Sequence, residues 1–250
     1  MEIDPELLKS LGTKQGLKNK EHIEKSWMQD NILYYLSKKY DNLIFKGGTA
    51  LYMFYSLPRF SEDLDFSTKA EIEKEFLKEF AESHHASLTS KKVYDSRLYK
   101  LRFPGILTKT NTIRIDINIT DSVYTSEIKT HISPYPEIPP FLVRVMALEE
   151  ILAEKVHSLL NRTKARDLYD LFFILRTIAV TKETKELILK KLHDRNINIE
   201  EENISRELTK RIDLLAPLWT DELKHFVLQE LPAFAVVRGF VLKKLEHSLM

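Results

Sequence analysis

The sequence contains no cysteine. Disulfide frameworks, cysteine-based zinc sites and thiol nucleophiles are therefore excluded together. Glycine is scarce, six in 250 residues, so the pair at 47–48 stands out in a chain that otherwise gives its backbone little freedom. No apolar run approaches the ~20 residues that a membrane-spanning helix needs. The chain is charged from Glu2 onward and shows no apolar core of a signal peptide, so the expectation is a cytoplasmic protein with no membrane segment. Charge of either sign is nearly balanced, and a net +1 gives no global pull on nucleic acid. Any such binding must come from a local patch.

What is present concentrates in residues 43–67, LIFKGGTALYMFYSLPRFSEDLDFS. Leu43, Ile44 and Phe45 read as a buried strand running into Gly47 and Gly48, where the backbone can turn sharply and bring N–H groups close to an anion. Thr49 is the expected N-cap of a helix over Ala50 to Ser56, and a helix N-terminus favours phosphate. On the strand that follows, Asp63 and Asp65 point to one face about 7 Å apart, while Leu64 and Phe66 point to the other. Two like charges on one face ask for a cation, and a hard divalent ion such as Mg²⁺ prefers carboxylate oxygens. Each signal alone also describes an ordinary turn or a solvated edge.

Upstream, residues 1–19 read as a polar, loosely attached lead-in, and Ile23, Trp27, Leu33 and Leu36 mark a helix over Lys20 to Tyr40 with Trp27 in the core. Downstream, Ile72, Phe76, Phe80 and Ala81 predict an amphipathic helix from Lys69 to His85. Three strands are expected at 87–94, 97–103 and 112–120. In the third, Ile113, Ile115, Ile117 and Ile119 alternate with Arg114, Asp116 and Asn118. If that strand pairs beside Asp63 and Asp65, three carboxylates converge. Residues 91–114 carry Lys91, Lys92, Arg97, Lys100, Arg102, Lys109 and Arg114 against a single acid, Asp95, with Tyr94, Tyr99 and Phe103 interleaved. That is either a nucleic-acid track or an ordinary polar hairpin face.

Four prolines in SPYPEIPP, residues 133–140, mark the expected domain boundary. Beyond it helical spacing predominates over 147–161, 164–178, 182–193, 199–215, 222–228 and 235–247. Within that half Lys155, Arg162, Arg166, Asp167 and Asp170 gather in LEEILAEKVHSLLNRTKARDLYDLFFIL. Asp167 and Asp170, three apart, share nearly one helix face.

FKGGTAL, RFSEDLDF, IRIDINI and EKVHSLLNRTKARDLYDL together resemble the AbiEii/AbiGii nucleotidyltransferase toxin family, MenT toxins included, over roughly residues 24–175. The resemblance implies an α+β fold: a polymerase-beta-like nucleotidyltransferase core over residues 1–140, a small mixed sheet with flanking helices, then a helical bundle over 141–250 that closes the nucleotide cleft. It implies nucleotide contacts from Lys46, Gly47, Gly48, Thr49, Arg59, Ser61, Lys155, Arg166 and Asp167. Metal ligation falls to Asp63, Asp65 and Asp116, two Mg²⁺ ions and an NTP being the expected cofactor and substrate, and Lys155 and Asp170 assist the chemistry. The reaction expected is transfer of a nucleoside monophosphate to an acceptor hydroxyl, the 3′ end of a tRNA, with Lys91, Lys92, Arg97, Lys100 and Arg102 as acceptor track and a cognate antitoxin as partner to a monomer. A protein or small-molecule acceptor, or a nucleotide-binding module without turnover, would use the same residues.

Overall fold

The computed structural model describes residues 3–70, 75–119, 122–195, 197 and 199–249. The chain forms two compact units, one of residues 1–56 and 60–146, the other of 57–59 and 147–250. Among the described residues no helix is long and apolar enough to cross a membrane.

The first unit begins with α1 (Pro5–Lys14) and α2 (Lys20–Lys39), each N-capped by a side chain, Asp4 and Asn19. The lead-in expected to be loose is instead a docked helix: Leu8 and Leu17 are buried, and Gly12 lies so close to Ile23 that a Cβ would sit 2.6 Å from its side chain. Next come β1 (Ile44–Lys46), α3 (Gly47–Tyr55), β2 (Leu64–Ser67), α4 (Lys78–Ser83), β3 (Ser87–Val93), β4 (Ser96–Pro104), β5 (Thr110–Asn118), β6 (Ser126–His131) and β7 (Phe141–Met146). The strands form one mixed sheet in the order β3-β4-β5-β2-β1-β7-β6. β2 runs parallel to β5 and β1 parallel to β7; the other neighbours are antiparallel.

The strict alternation of β5 explains its place. Ile113, Ile115 and Ile117 are fully buried together with Tyr99 and Leu101 of β4, and α2 packs against β5 and β7. Trp27 lies in this core, its indole N–H donating to Glu137 at 2.8 Å. Of the helix expected over 69–85, the described residues form α4 over Lys78–Ser83; Ile72 lies outside the described residues. The proline run also behaves differently from expectation. It connects two paired strands, β6 and β7, so the chain leaves the first unit after Met146 and not within residues 133–140. FLVRVM buries Phe141, Val143 and Val145 and belongs to the sheet.

The second unit contains α5 (Leu148–Asn161), α6 (Ala165–Thr177), α7 (Lys182–Asp194), α8 (Glu201–Asp213), a 3₁₀ turn at Ala216–Leu218, α9 (Trp219–Leu223) and α10 (Phe234–Leu249). Residues 57–59 are added to it as a strap. Arg59 bridges to Val227, and the Leu228 N–H donates to the Pro58 carbonyl at 3.0 Å.

Candidate active site

The strand–turn–helix at 44–55 is built around Gly47. Its φ of +75° is a conformation that side chains rarely adopt, and a Cβ there would lie 2.4 Å from Asp65 Oδ2. Glycine therefore lets the turn close directly against a carboxylate. Because that turn already sets the helix direction, α3 starts at Gly47 with Lys46 in the cap position and no side-chain cap. Thr49, the expected N-cap, sits inside the first turn instead; its hydroxyl donates to the Asp63 carbonyl oxygen.

Three further contacts hold the loop before β2. Gln29 Nε2 donates to the Ser61 carbonyl at 2.9 Å, Lys25 pairs with Glu62 at 2.6 Å, and Arg114 forks onto Asp63. Arg114 Nε lies 3.1 Å from Oδ1 and Nη2 2.7 Å from Oδ2, and the guanidinium's pKa rises as a result. Ser61 is buried, its carbonyl spent on α2.

The expected pairing of the acid-bearing strands is present. Asp65 stands directly opposite Asp116 across the parallel β2/β5 pair, and Lys46 stands opposite Asp65 across β1/β2. Asp63 lies one residue before β2 and is held by Arg114 rather than aligned with the other two acids. Among the described residues no three acid or histidine side chains are already gathered as a metal cage. Mg²⁺ does not need one, since it is usually bound through one or two carboxylates with water and phosphate completing the shell. Asp65 and Asp116, hard oxygen donors on adjacent strands, fit that requirement.

In the second unit, Lys155 of α5 lies 2.9 Å from Asp167 and 2.7 Å from Asp170 of α6. Arg59 forks onto Asp170, both contacts at 2.8 Å, and Arg162 Nε lies 2.8 Å from Asp167. Arg59, Lys155, Asp167 and Asp170 are all buried, Asp170 and Arg59 at 0 % and 2 % exposure. Burial alone would lower the Lys155 pKa, but Asp167 and Asp170 outweigh it and hold it above its ordinary value. Burial would likewise raise the Asp167 pKa; Lys155 and Arg162 reverse that and hold it far below the carboxylate range. Asp167 is thus more than a helix-dipole acid, and Arg59, expected at the nucleotide, is spent on Asp170. Arg166 stacks on Phe226, its guanidinium carbon 5.3 Å from the ring centre.

The five hairpin cations separate by strand register. Lys91, Lys100 and Arg102 share a face with Asp116; Lys92 and Arg97 share the other with Ile117. The partners that sequence reasoning missed are Arg114 for Asp63 and Arg59 for Asp170. Arg114 could have been found two positions before Asp116 on the polar side of the alternating strand; nothing local signals a fork between residues 59 and 170.

A Gly turn entering a helix, with acids in register on neighbouring parallel strands, is the arrangement of a nucleotidyltransferase fold. Solved structures agree. The chain is similar to a putative nucleotidyltransferase from Helicobacter pylori (TM-score 0.61, 22% identity, 93% of this chain and 97% of that one). It is also similar to MenT4, a nucleotidyltransferase toxin from Mycobacterium tuberculosis H37Rv (TM-score 0.58, 20% identity, 97% and 88%). The profile of the family described as nucleotidyl transferase AbiEii toxin, type IV TA system, matches residues 31–239, and the chain belongs to that family. It is a nucleotidyltransferase, and membership in a type IV toxin–antitoxin family implies an NTP substrate and a cognate antitoxin. A search of the curated proteins finds no match.

Proposed function

We propose that this chain is a divalent-cation-dependent toxin acting in the cytoplasm, which transfers a nucleoside monophosphate from an NTP to the 3′ hydroxyl of a tRNA and so blocks translation. The observation that carries this reading is the register pair Asp65 and Asp116 beside the close Gly47 turn. The N–H groups opening α3 receive phosphate oxygens, and Gly47 and Gly48 admit them without side-chain interference. Asp65 and Asp116, with Asp63 once it leaves Arg114, would hold Mg²⁺, which supplies charge neutralisation at the transferring phosphate. Asp116 accepts the proton of the acceptor hydroxyl as that oxygen bonds to the α-phosphorus. The α–β phosphoanhydride bond breaks and pyrophosphate leaves. Thr49 and Gln29 fix the loop bearing Asp63, acting on its backbone. Lys155 and Asp170 match the family's second motif and lie together in the second unit, where Asp167 and Asp170 secure the charge of Lys155.

The test is incubation of the purified protein with each labelled NTP, Mg²⁺ and total tRNA, beside Asp65→Ala. Label at the tRNA 3′ end, lost in the variant, is the expected result. If no NTP labels any RNA the reading fails, and label on protein or on a small product would reassign the acceptor.

A further inference from the structure

The basic hairpin is sorted by the sheet. Asp65, Asp116, Leu98 and Lys91 stand opposite one another across β2, β5, β4 and β3. The next row toward Arg102 is Arg114, Lys100 and Thr89, and the one beyond it Thr112, Arg102 and Ser87. Because side chains alternate along a strand, these rows project from one face. Lys91, Lys100, Arg102 and Arg114 are exposed on that face. Phe66, Ile117, Arg97 and Lys92 form a row on the opposite face, which carries the core residues Tyr99 and Leu101. Asp116 is the one acid within these three strands.

The tip of the hairpin adds an independent observation. Tyr94 occupies the two-residue turn between β3 and β4 with a φ of +50°, where glycine, asparagine or aspartate is the ordinary choice, and it is 92 % exposed. A large aromatic ring has thus been placed in solvent at a position that disfavours it. An outlier of this kind motivates a hypothesis of function.

We propose that the face of β3, β4 and β5 continuous with Asp65 and Asp116 is a docking surface for single-stranded RNA, the acceptor end of the substrate. Phosphates lie along Arg102, Lys100 and Lys91, which repeat about 7 Å along a strand and ~5 Å between strands. An unstacked base lies on Tyr94, stacking being indifferent to base identity. Lys92 and Arg97 take no part. This rests on the reading of the chain as a transferase onto RNA. An acidic protein would use the cations but would give the exposed ring no role.

The experiment is fluorescence anisotropy with a short end-labelled single-stranded RNA and, separately, labelled polyglutamate, each at several salt concentrations and without NTP. Lys91→Gln/Lys100→Gln/Arg102→Gln is expected to weaken RNA binding more than tenfold and to flatten the salt dependence by about 2 in slope, at ~0.7 per phosphate contact. Tyr94→Ala is expected to weaken it about tenfold with the slope unchanged. Lys92→Gln/Arg97→Gln keeps wild-type binding and serves as the opposite-face control; circular dichroism checks that all variants fold. Equal losses from the two sets, no loss from either, or a loss confined to polyglutamate overturns the proposal. Label transfer by the wild-type protein separates the two readings. Face-sorted binding without transfer leaves the docking surface and removes the transferase-on-RNA reading, whereas transfer without face sorting does the reverse.

Discussion

Arg114 is more than half exposed, yet it commits both ends of its guanidinium to Asp63. A carboxylate held in a fork cannot offer the same oxygens to a divalent cation, so the arginine is the cation's competitor. An exposed pair carries only ~0.5–1 kcal/mol, which makes the competition reversible. Arg114→Gln is therefore expected to tighten Mn²⁺ binding roughly two- to fivefold in the absence of NTP, the equivalent of that energy. Electron paramagnetic resonance of free Mn²⁺ measures this; unchanged or weaker binding would show that Asp63 is not a ligand the arginine guards. The faces of Asp65 and Asp116 were legible in the sequence, because alternation along a strand fixes them; Asp63, one residue before β2, escapes that rule. The acids' partners were not legible. The Arg114 fork and the Thr49 hydroxyl's use on Asp63 depend on which strands become neighbours, and spacing along the chain does not determine that.

Among the elements, α5 and α6 are joined by a buried set of charges: Lys155, Asp167 and Asp170 with Arg59 and Arg162. Asp167 has its pKa depressed on folding, so its contribution to stability is complete above the unfolded value of about 3.9 and is lost as pH falls through the folded value. Lys155 has its pKa raised, so its contribution is complete below about 10.4 and is lost as pH rises through the folded value. Between those limits the contributions of Asp167 and Lys155 are both complete. Arg162 is exposed and touches Asp167 without filling the core. Arg162→Ala should lessen the depression of the Asp167 pKa and move the acid-unfolding midpoint upward in pH, with stability at neutral pH reduced by about 1–2 kcal/mol. Far-ultraviolet circular dichroism across the acid range reads both; an unmoved midpoint would place acid unfolding elsewhere. α5 to α8 and α10 were legible because 3.6-residue apolar spacing needs only local sequence; α1, in a polar stretch, was not. β6 and β7 were hidden because the proline run reads as a boundary, although a loop between paired strands accommodates prolines equally well.

At the scale of the whole molecule, the second unit is not contiguous in sequence. Leu57 and Arg59 are buried within it at 1 % and 2 % exposure, and Arg59 supplies one of the partners of the fully buried Asp170. A boundary drawn at the prolines or after Met146 therefore cuts the unit from its strap. Residues 147–250 expressed alone should lose the Arg59 fork and the cover of Leu57. Breaking a buried pair costs ~3–5 kcal/mol, the lower figure applying where Lys155 stays on Asp170, and burial of Leu57 is worth about 2 kcal/mol more. Of the two tryptophans, Trp219 lies in this unit at 2 % exposure and Trp27 in the other. Urea denaturation followed by Trp219 emission, comparing the fragment with a full chain carrying Trp27→Phe, should show a much lower midpoint for the fragment. Arg59→Ala in the full chain should reproduce most of that loss, since it removes the same partner while keeping the rest of the strap. If the fragment and the full chain unfold at one midpoint, the strap is not part of the second unit's stability and the fold divides at Met146 after all.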